Sequence, residues 1–160
     1  MRAGASATGA ATLPIPPPRL YIGARNRMRR ILIVDDREEV RAALVMMLED
    51  RGCEIIQATD GSQVLGMVLE YRPDLVLLDL AMPVMDGFQA LRELRANEQA
   101  KDVPVIVITA RTDLADQAKA LSMGVADYVT KPFSVAAVIG RINEVLHRNG
   151  KDGVDPERQR

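Results

Sequence analysis

Five short apolar runs, each separated from the next by a stretch long enough for a helix, constrain this chain more than any other feature. They are Ile31 to Val34, Glu54 to Ala58, Leu75 to Leu78, Val105 to Ile108 and Asp127 to Thr130. The first, third and fourth are apolar almost throughout, which suits strands covered on both faces. Between the runs, Val40, Ala43, Leu44, Met47 and Leu48 recur at helical spacing, and so do Val135, Val138, Ile139, Ile142, Val145 and Leu146. Alternating strand and helix patterns of this kind predict repeated βα units around a parallel sheet. The expected fold is α/β, a doubly wound five-stranded parallel sheet in flavodoxin-like order 2-1-3-4-5 with five helices.

Local chemistry marks where the helices begin and stop. Asp60 with Gln63, Asp86 with Gln89, Thr112 with Asp113, and Ser134 are start signals, while Gly52 and Gly124 stand where helices should end. Residues 29–148 thus form one folded domain, and a chain of 160 residues has no room for a second. Residues 1–28 are rich in Ala and Pro, contain Pro14-Ile15-Pro16-Pro17-Pro18, and show no periodicity, so disorder is expected there. The prolines are compatible with a docking ligand for an aromatic groove, but a flexible arm is the preferred reading. Met28 is a candidate natural start, because Arg29-Arg30 leads straight into the first strand. Residues 149–160 are expected to form a flexible charged tail, with no output domain after it.

Charge is unevenly placed. The first thirty positions carry six arginines and no acid, whereas residues 31–148 hold 12 basic against 19 acidic side chains, a net of −7. Such a body repels phosphate backbones, which argues against nucleic-acid binding by the domain itself. The single Cys53 excludes an internal disulfide and a multi-cysteine zinc cluster, as expected in a reducing compartment. No apolar run approaches the roughly 18 residues of a membrane span, and the N-terminus lacks the compact apolar segment of a secretory signal. A cytoplasmic protein without membrane insertion is expected.

In a parallel sheet with right-handed crossovers, every strand's C-terminal end lies on one edge, and ligands bind there at the switch in strand order. The first strand ends in Asp35-Asp36, the third in Asp79, the fourth in Thr109-Ala110 and the fifth in Lys131-Pro132. In the order 2-1-3-4-5, Asp79 is flanked by the acid pair on one side and by Thr109 and then Lys131 on the other. Three adjacent carboxylates repel one another unless a cation neutralises them. Mg²⁺ takes hard oxygens of this kind, and it would let a dianionic phosphoryl group approach a carboxylate nucleophile. Lys131 offers a point charge and Thr109 a hydroxyl to the phosphoryl oxygens. Carboxylates that form aspartyl-phosphates are established nucleophiles.

These residues resemble the receiver domains of two-component response regulators. The likeness covers roughly residues 30–148 and rests on four blocks: Ile31-Leu32-Ile33-Val34-Asp35-Asp36, Pro73 through Leu78-Asp79-Leu80-Ala81-Met82-Pro83-Val84-Met85-Asp86-Gly87, Val105 through Thr109-Ala110, and Ala126-Asp127-Tyr128-Val129-Thr130-Lys131-Pro132-Phe133. The resemblance implies a single-domain regulator in which Asp79 accepts a phosphoryl group from a sensor histidine kinase or phosphotransfer protein. It implies that Asp35, Asp36, Asp79 and the backbone carbonyl of Ala81 hold Mg²⁺, and that the Lys131-Pro132 bond is cis. It further implies that Thr109 and Tyr128 rearrange as switch residues and alter the face of helix 4, strand 5 and helix 5 for a downstream protein. The chain would then be no enzyme, apart from slow loss of its own phosphate.

Plainer roles compete for several of these residues. Asp36-Arg37-Glu38-Glu39 also reads as a capping sequence opening the first helix, a lesser alternative to the ligand role. Thr109 fits an ordinary strand position, Lys131 a solvated loop, and Tyr128 a strand aromatic. Asp86 reads as a cap rather than a ligand, Met46, Met47, Met67 and Met123 as core fillers, and Cys53 as an inert thiol. His147 lies near a helix end without the context of a phosphodonor. Three other functions fit the residues less well. A haloacid-dehalogenase-type hydrolase needs an acid two residues beyond its nucleophile, where Ala81 stands. A flavin site needs a Ser/Thr/Gly-rich loop after strand 1. A phosphorylation-independent interaction module has no use for the carboxylates, Thr109 and Lys131.

Overall fold

The computed structural model describes residues 28–150. The disorder expected for residues 1–28 and the flexible tail expected from 149 therefore fall almost wholly outside the described residues. Five parallel strands, β1 (Arg30–Val34), β2 (Glu54–Ala58), β3 (Leu75–Leu78), β4 (Val105–Thr109) and β5 (Asp127–Thr130), form one sheet in the order β2-β1-β3-β4-β5. Helices α1 (Glu38–Glu49), α2 (Val64–Tyr71), α3 (Gly87–Ala96), α4 (Leu114–Ser122) and α5 (Val135–Arg148) make the crossovers. The five strands and their order agree with the sequence.

The side-chain alternation of each strand divides the core into two layers. Leu32 and Val34, Val76 and Leu78, and Val105 and Val107 pack with Val68, Leu91, Leu94 and Ala120 from α2, α3 and α4. The alternate residues, Ile31 and Ile33, Leu75 and Leu77, and Ile106 and Ile108, pack with Leu44 and Leu48 of α1 and Ile139, Ile142 and Val145 of α5. This two-sided cover is why β1, β3 and β4 are apolar at consecutive positions. The α5 stripe is buried from Val138 to Leu146, with only Val135 left 47% exposed. The α1 stripe needs correction: Ala43 is exposed, and Val45 packs partly against the core in its place. Met47 is buried and Met67 and Met123 pack against the core, but Met46 is 67% exposed and fills nothing.

Most helix starts are where local chemistry placed them. Asp86 caps α3 in a reciprocal box with Gln89, and Ser134 caps α5 by accepting the Ala137 N–H. Asp113 caps α4 through the Ala115 N–H. The Asp60–Gln63 box opens a 3₁₀ turn, Gly61–Gln63, that runs on into α2. Gly52 and Gly124 both adopt φ +81° just past α1 and α4, a conformation that side chains with a Cβ resist.

Candidate functional site

Parallel pairing sets the ends of β1 and β3 level. Val34 stands opposite Leu78, and the Asp79 N–H donates to the Val34 carbonyl at 3.0 Å. The residues that follow, Asp35 and Asp79, consequently leave the sheet side by side at the point where strand order reverses. Carboxylate oxygens of Asp35, Asp36 and Asp79 lie within 4.8 Å of one another. Asp35 and Asp79 are buried, at 2% and 4% exposure, while Asp36 faces solvent.

Two buried carboxylates need compensating charge, and Lys131 supplies it. Its Nζ donates to Asp35 Oδ2 at 2.6 Å and to Asp79 Oδ2 at 3.2 Å. The chain brings it there through β5, whose Thr130 pairs with Thr109, and through the Lys131 N–H bond to the Thr109 carbonyl at 2.8 Å. The Lys131-Pro132 bond is cis, as the resemblance implies. Burial pushes the Asp35 carboxyl above its usual range, against the lowering effect of the Lys131 hydrogen bond and of the Arg37 N–H. Burial alone would lower the Lys131 ammonium, but the Asp35 hydrogen bond and the charges of both aspartates outweigh it and hold it above its ordinary value.

The remaining oxygens are oriented by backbone. Asp35 Oδ1 accepts the Arg37 N–H at 2.9 Å, and Asp79 Oδ1 accepts the Ala81 N–H at 3.1 Å. Arg41 fixes the Asp35 backbone from α1, donating to its carbonyl at 2.9 Å. Asp36 does not cap α1. The N-cap is Arg37, which makes no side-chain cap bond, so the capping reading of Asp36 gives way to a solvent-facing carboxylate in the acid cluster. Thr109 is fully buried, and its hydroxyl accepts a long 3.4 Å bond from the Arg111 N–H. Tyr128 is half-buried and its hydroxyl donates to the Arg111 carbonyl at 3.0 Å, which links β5 to the segment before α4. Burial, followed by the charge of Asp116, raises its phenol.

Three hard-oxygen carboxylates converging at one mouth, one of them open to solvent, fit a small divalent cation. A recess of about 410 Å³ bordered by Tyr128, Pro132, Phe133 and Arg141 opens on the β5–α5 side, and none of the three carboxylates lines it. Cys53 plays no part. It is buried and its thiol is pushed up to about 12 by desolvation, as an inert thiol should be. The sequence reading overlooked Arg41, whose position one turn into α1 gives no signal until the helix is docked.

A doubly wound sheet with polar side chains gathered at the β1/β3 switch belongs to the class of open α/β domains that bind ligands at the carboxyl ends of their strands. The particular family follows from comparison. The profile of the response regulator receiver domain matches residues 31–143, and the chain belongs to that family. Transcriptional regulatory protein PrrA of Mycobacterium tuberculosis (strain ATCC 25618 / H37Rv) is 40% identical over 121 residues, which are 76% of this chain and 51% of PrrA. DNA-binding response regulator MtrA of Mycolicibacterium smegmatis is 42% identical over 121 residues, 76% of this chain and 52% of MtrA. Phosphate regulon transcriptional regulatory protein PhoB of Pseudomonas aeruginosa is 35% identical over 122 residues, 76% of this chain and 53% of PhoB. The chain spans about half the length of these curated relatives. Among the described residues no helix is long and apolar enough to cross a membrane.

Proposed function

We propose that this receiver domain is a phosphorylation-activated signalling switch whose acceptor is Asp79. One Asp79 carboxylate oxygen attacks the phosphorus of a phosphohistidine on a sensor kinase or phosphotransfer protein. The P–O bond forms as the P–N bond breaks, and the imidazole leaves with the electron pair of that bond and takes a proton from water. The observation that carries this reading is the juxtaposition of buried Asp79 with Asp35, Asp36 and the Lys131 ammonium. Bound Mg²⁺ would neutralise the charge of the incoming phosphoryl group, held by Asp35, Asp36, Asp79 and the Ala81 carbonyl. Lys131, already aimed at Asp79 Oδ2, would turn its charge to the phosphoryl oxygens.

Thr109 and Tyr128 are the proposed switch residues. Thr109 stands at the end of the strand beside Asp79, and Tyr128 is bonded to the backbone three residues before α4 begins. Movement of the Thr109 hydroxyl toward phosphate would open space that Tyr128 can enter, altering the face of α4, β5 and α5 for a downstream protein. The domain is then a phosphoacceptor rather than an enzyme, apart from slow self-dephosphorylation, and it works in the cytoplasm. The DNA binding named for MtrA is a property of that longer protein, and the net charge of −7 over residues 31–148 places no such role on this domain.

Incubation with acetyl phosphate and Mg²⁺, followed by intact-mass spectrometry, tests the acceptor. We expect one added phosphoryl group, absent in Asp79→Asn and absent with excess EDTA. A wild-type protein that gains no mass with Mg²⁺ present would favour the phosphorylation-independent module instead.

A further inference from the structure

The segment after β3 carries both Asp79 and the Ala81 carbonyl, yet its own conformation is poorly self-supporting. Val84, in its middle, holds φ +69° with 88% of its surface exposed. A β-branched residue stays in that region only when its surroundings over-determine the backbone.

Two buried glycines provide that constraint, one at each side of the loop. Gly61, in the 3₁₀ turn before α2, donates its N–H to the Met85 carbonyl at 3.1 Å. A Cβ placed on it would meet that same oxygen at 2.4 Å and the Asp86 carbonyl at 3.0 Å. Gly87, the first residue of α3, donates to the Leu80 carbonyl at 3.0 Å. A Cβ there would meet the Asp79 carbonyl oxygen at 2.3 Å and the Leu80 Cα at 2.7 Å. Both approaches are against backbone, so no rotamer change relieves them. Neither glycine has a positive φ that would explain its presence otherwise. Gly66 and Gly140, by contrast, have open space where a Cβ would stand.

We propose that Gly61 and Gly87 are positioning residues for the acceptor site: their missing side chains let α2 and α3 clamp the β3–α3 segment so that Asp79 and the Ala81 carbonyl stay aligned with Asp35 and Asp36. This rests on the reading of Asp79 as a metal-assisted acceptor. A methyl group at either position must move backbone by about 1 Å to reach ordinary C···O contact. Displacements of that size at a reacting centre cost on the order of 10²-fold in rate.

The test measures Mg²⁺ binding, read from the amide shifts of Asp79 and Ala81, and acetyl-phosphate labelling in parallel. Gly61→Ala and Gly87→Ala should each raise the Mg²⁺ half-saturation about tenfold or more and slow labelling further. Gly66→Ala should leave both unchanged. Ile142→Val, in the core layer on the opposite face, controls for lost stability and should not move the Mg²⁺ half-saturation. If the wild type neither binds Mg²⁺ at Asp79 nor takes a phosphoryl group, the site reading itself fails. If it does both, and folded Gly61→Ala and Gly87→Ala match it, the clamp is refuted.

Should the variants not fold, the wild type decides. Opening that breaks the Gly61–Met85 and Gly87–Leu80 bonds should also break the metal site. Exchange of those two amides should therefore slow about tenfold with Mg²⁺ at ten times its Kd. Exchange at both amides indifferent to Mg²⁺ would overturn the proposal.

Discussion

Lys131→Met removes the one ammonium that neutralises two buried carboxylates while keeping most of the aliphatic stem. The side chains of Asp35 and Asp79 are 3% and 5% exposed, and that of Lys131 is 12% exposed. Breaking a buried pair by deleting one partner costs roughly 3–5 kcal/mol. The lower end applies here because solvent reaches the mouth at Asp36, so we expect about 3 kcal/mol near neutral pH. With a urea m-value of about 2 kcal/mol/M, the midpoint should fall by about 1.5 M, read by far-ultraviolet circular dichroism.

The pH dependence has a defined sign. The Asp35 carboxyl is raised above 3.8 in the folded protein, so the folded state binds a proton before the unfolded state does as pH falls. Stability that the charged carboxylate forfeits near neutrality is thus regained as pH falls through the folded pKa toward 3.8. Without Lys131 that pKa rises further, and the deficit of the variant should shrink as pH falls through the folded pKa toward 3.8. Excess Mg²⁺, a substitute cation, should narrow it as well. The Lys131 ammonium itself, raised above 10.5, stabilises the wild type below that value and ceases to as pH climbs through its folded pKa. Lys101→Met, which breaks an exposed pair with Glu98, should cost no more than about 0.5 kcal/mol. A midpoint shift under about 0.5 M for Lys131→Met, or one blind to both pH and Mg²⁺, would refute the neutralising role.

Two further substitutions probe neighbouring parts of the site. Asp36→Ala should weaken Mg²⁺ binding at least tenfold, read from amide shifts, yet change unfolding free energy by less than about 0.5 kcal/mol, since Asp36 is exposed and caps nothing. A stability loss near 1 kcal/mol with unaltered Mg²⁺ affinity would return it to a capping role. Val84→Gly relieves a left-handed conformation that costs an L-residue roughly 1–2 kcal/mol, against about 0.4–1 kcal/mol of added unfolded-state entropy. Thermal unfolding should therefore show a net gain of about 0.5–1 kcal/mol, and a lower melting temperature would mean that Val84 is not strained.

Reading the sequence located the strands because covering both faces of a parallel sheet demands consecutive apolar residues, a demand met by Ile31 to Val34, Leu75 to Leu78 and Val105 to Ile108. The caps Asp86, Asp113 and Ser134 were legible for a different reason: each bonds within three residues of itself, so its signal is local. Asp36 misled the same rule. Asp35 Oδ1 takes the Arg37 N–H and starts the helix one residue later, a choice made by the geometry of the strand end. The exposure of Met46 and Ala43 was hidden too, because periodicity names a stripe without fixing the rotation of the helix against the sheet.

The sequence alone therefore determined the alternation of elements, the carboxylates at the strand ends and the family to which the chain belongs. Only the tertiary structure decided how those carboxylates are balanced. Lys131 reaches Asp35 across 96 residues and Asp79 across 52, and Gly87 and Gly61 meet the segment between β3 and α3 through backbone contacts that no residue type announces. Local signals act over a turn of helix or a pair of strand residues. Charge neutralisation and close backbone approach depend on where distant elements dock, and packing on both faces of the sheet sets that.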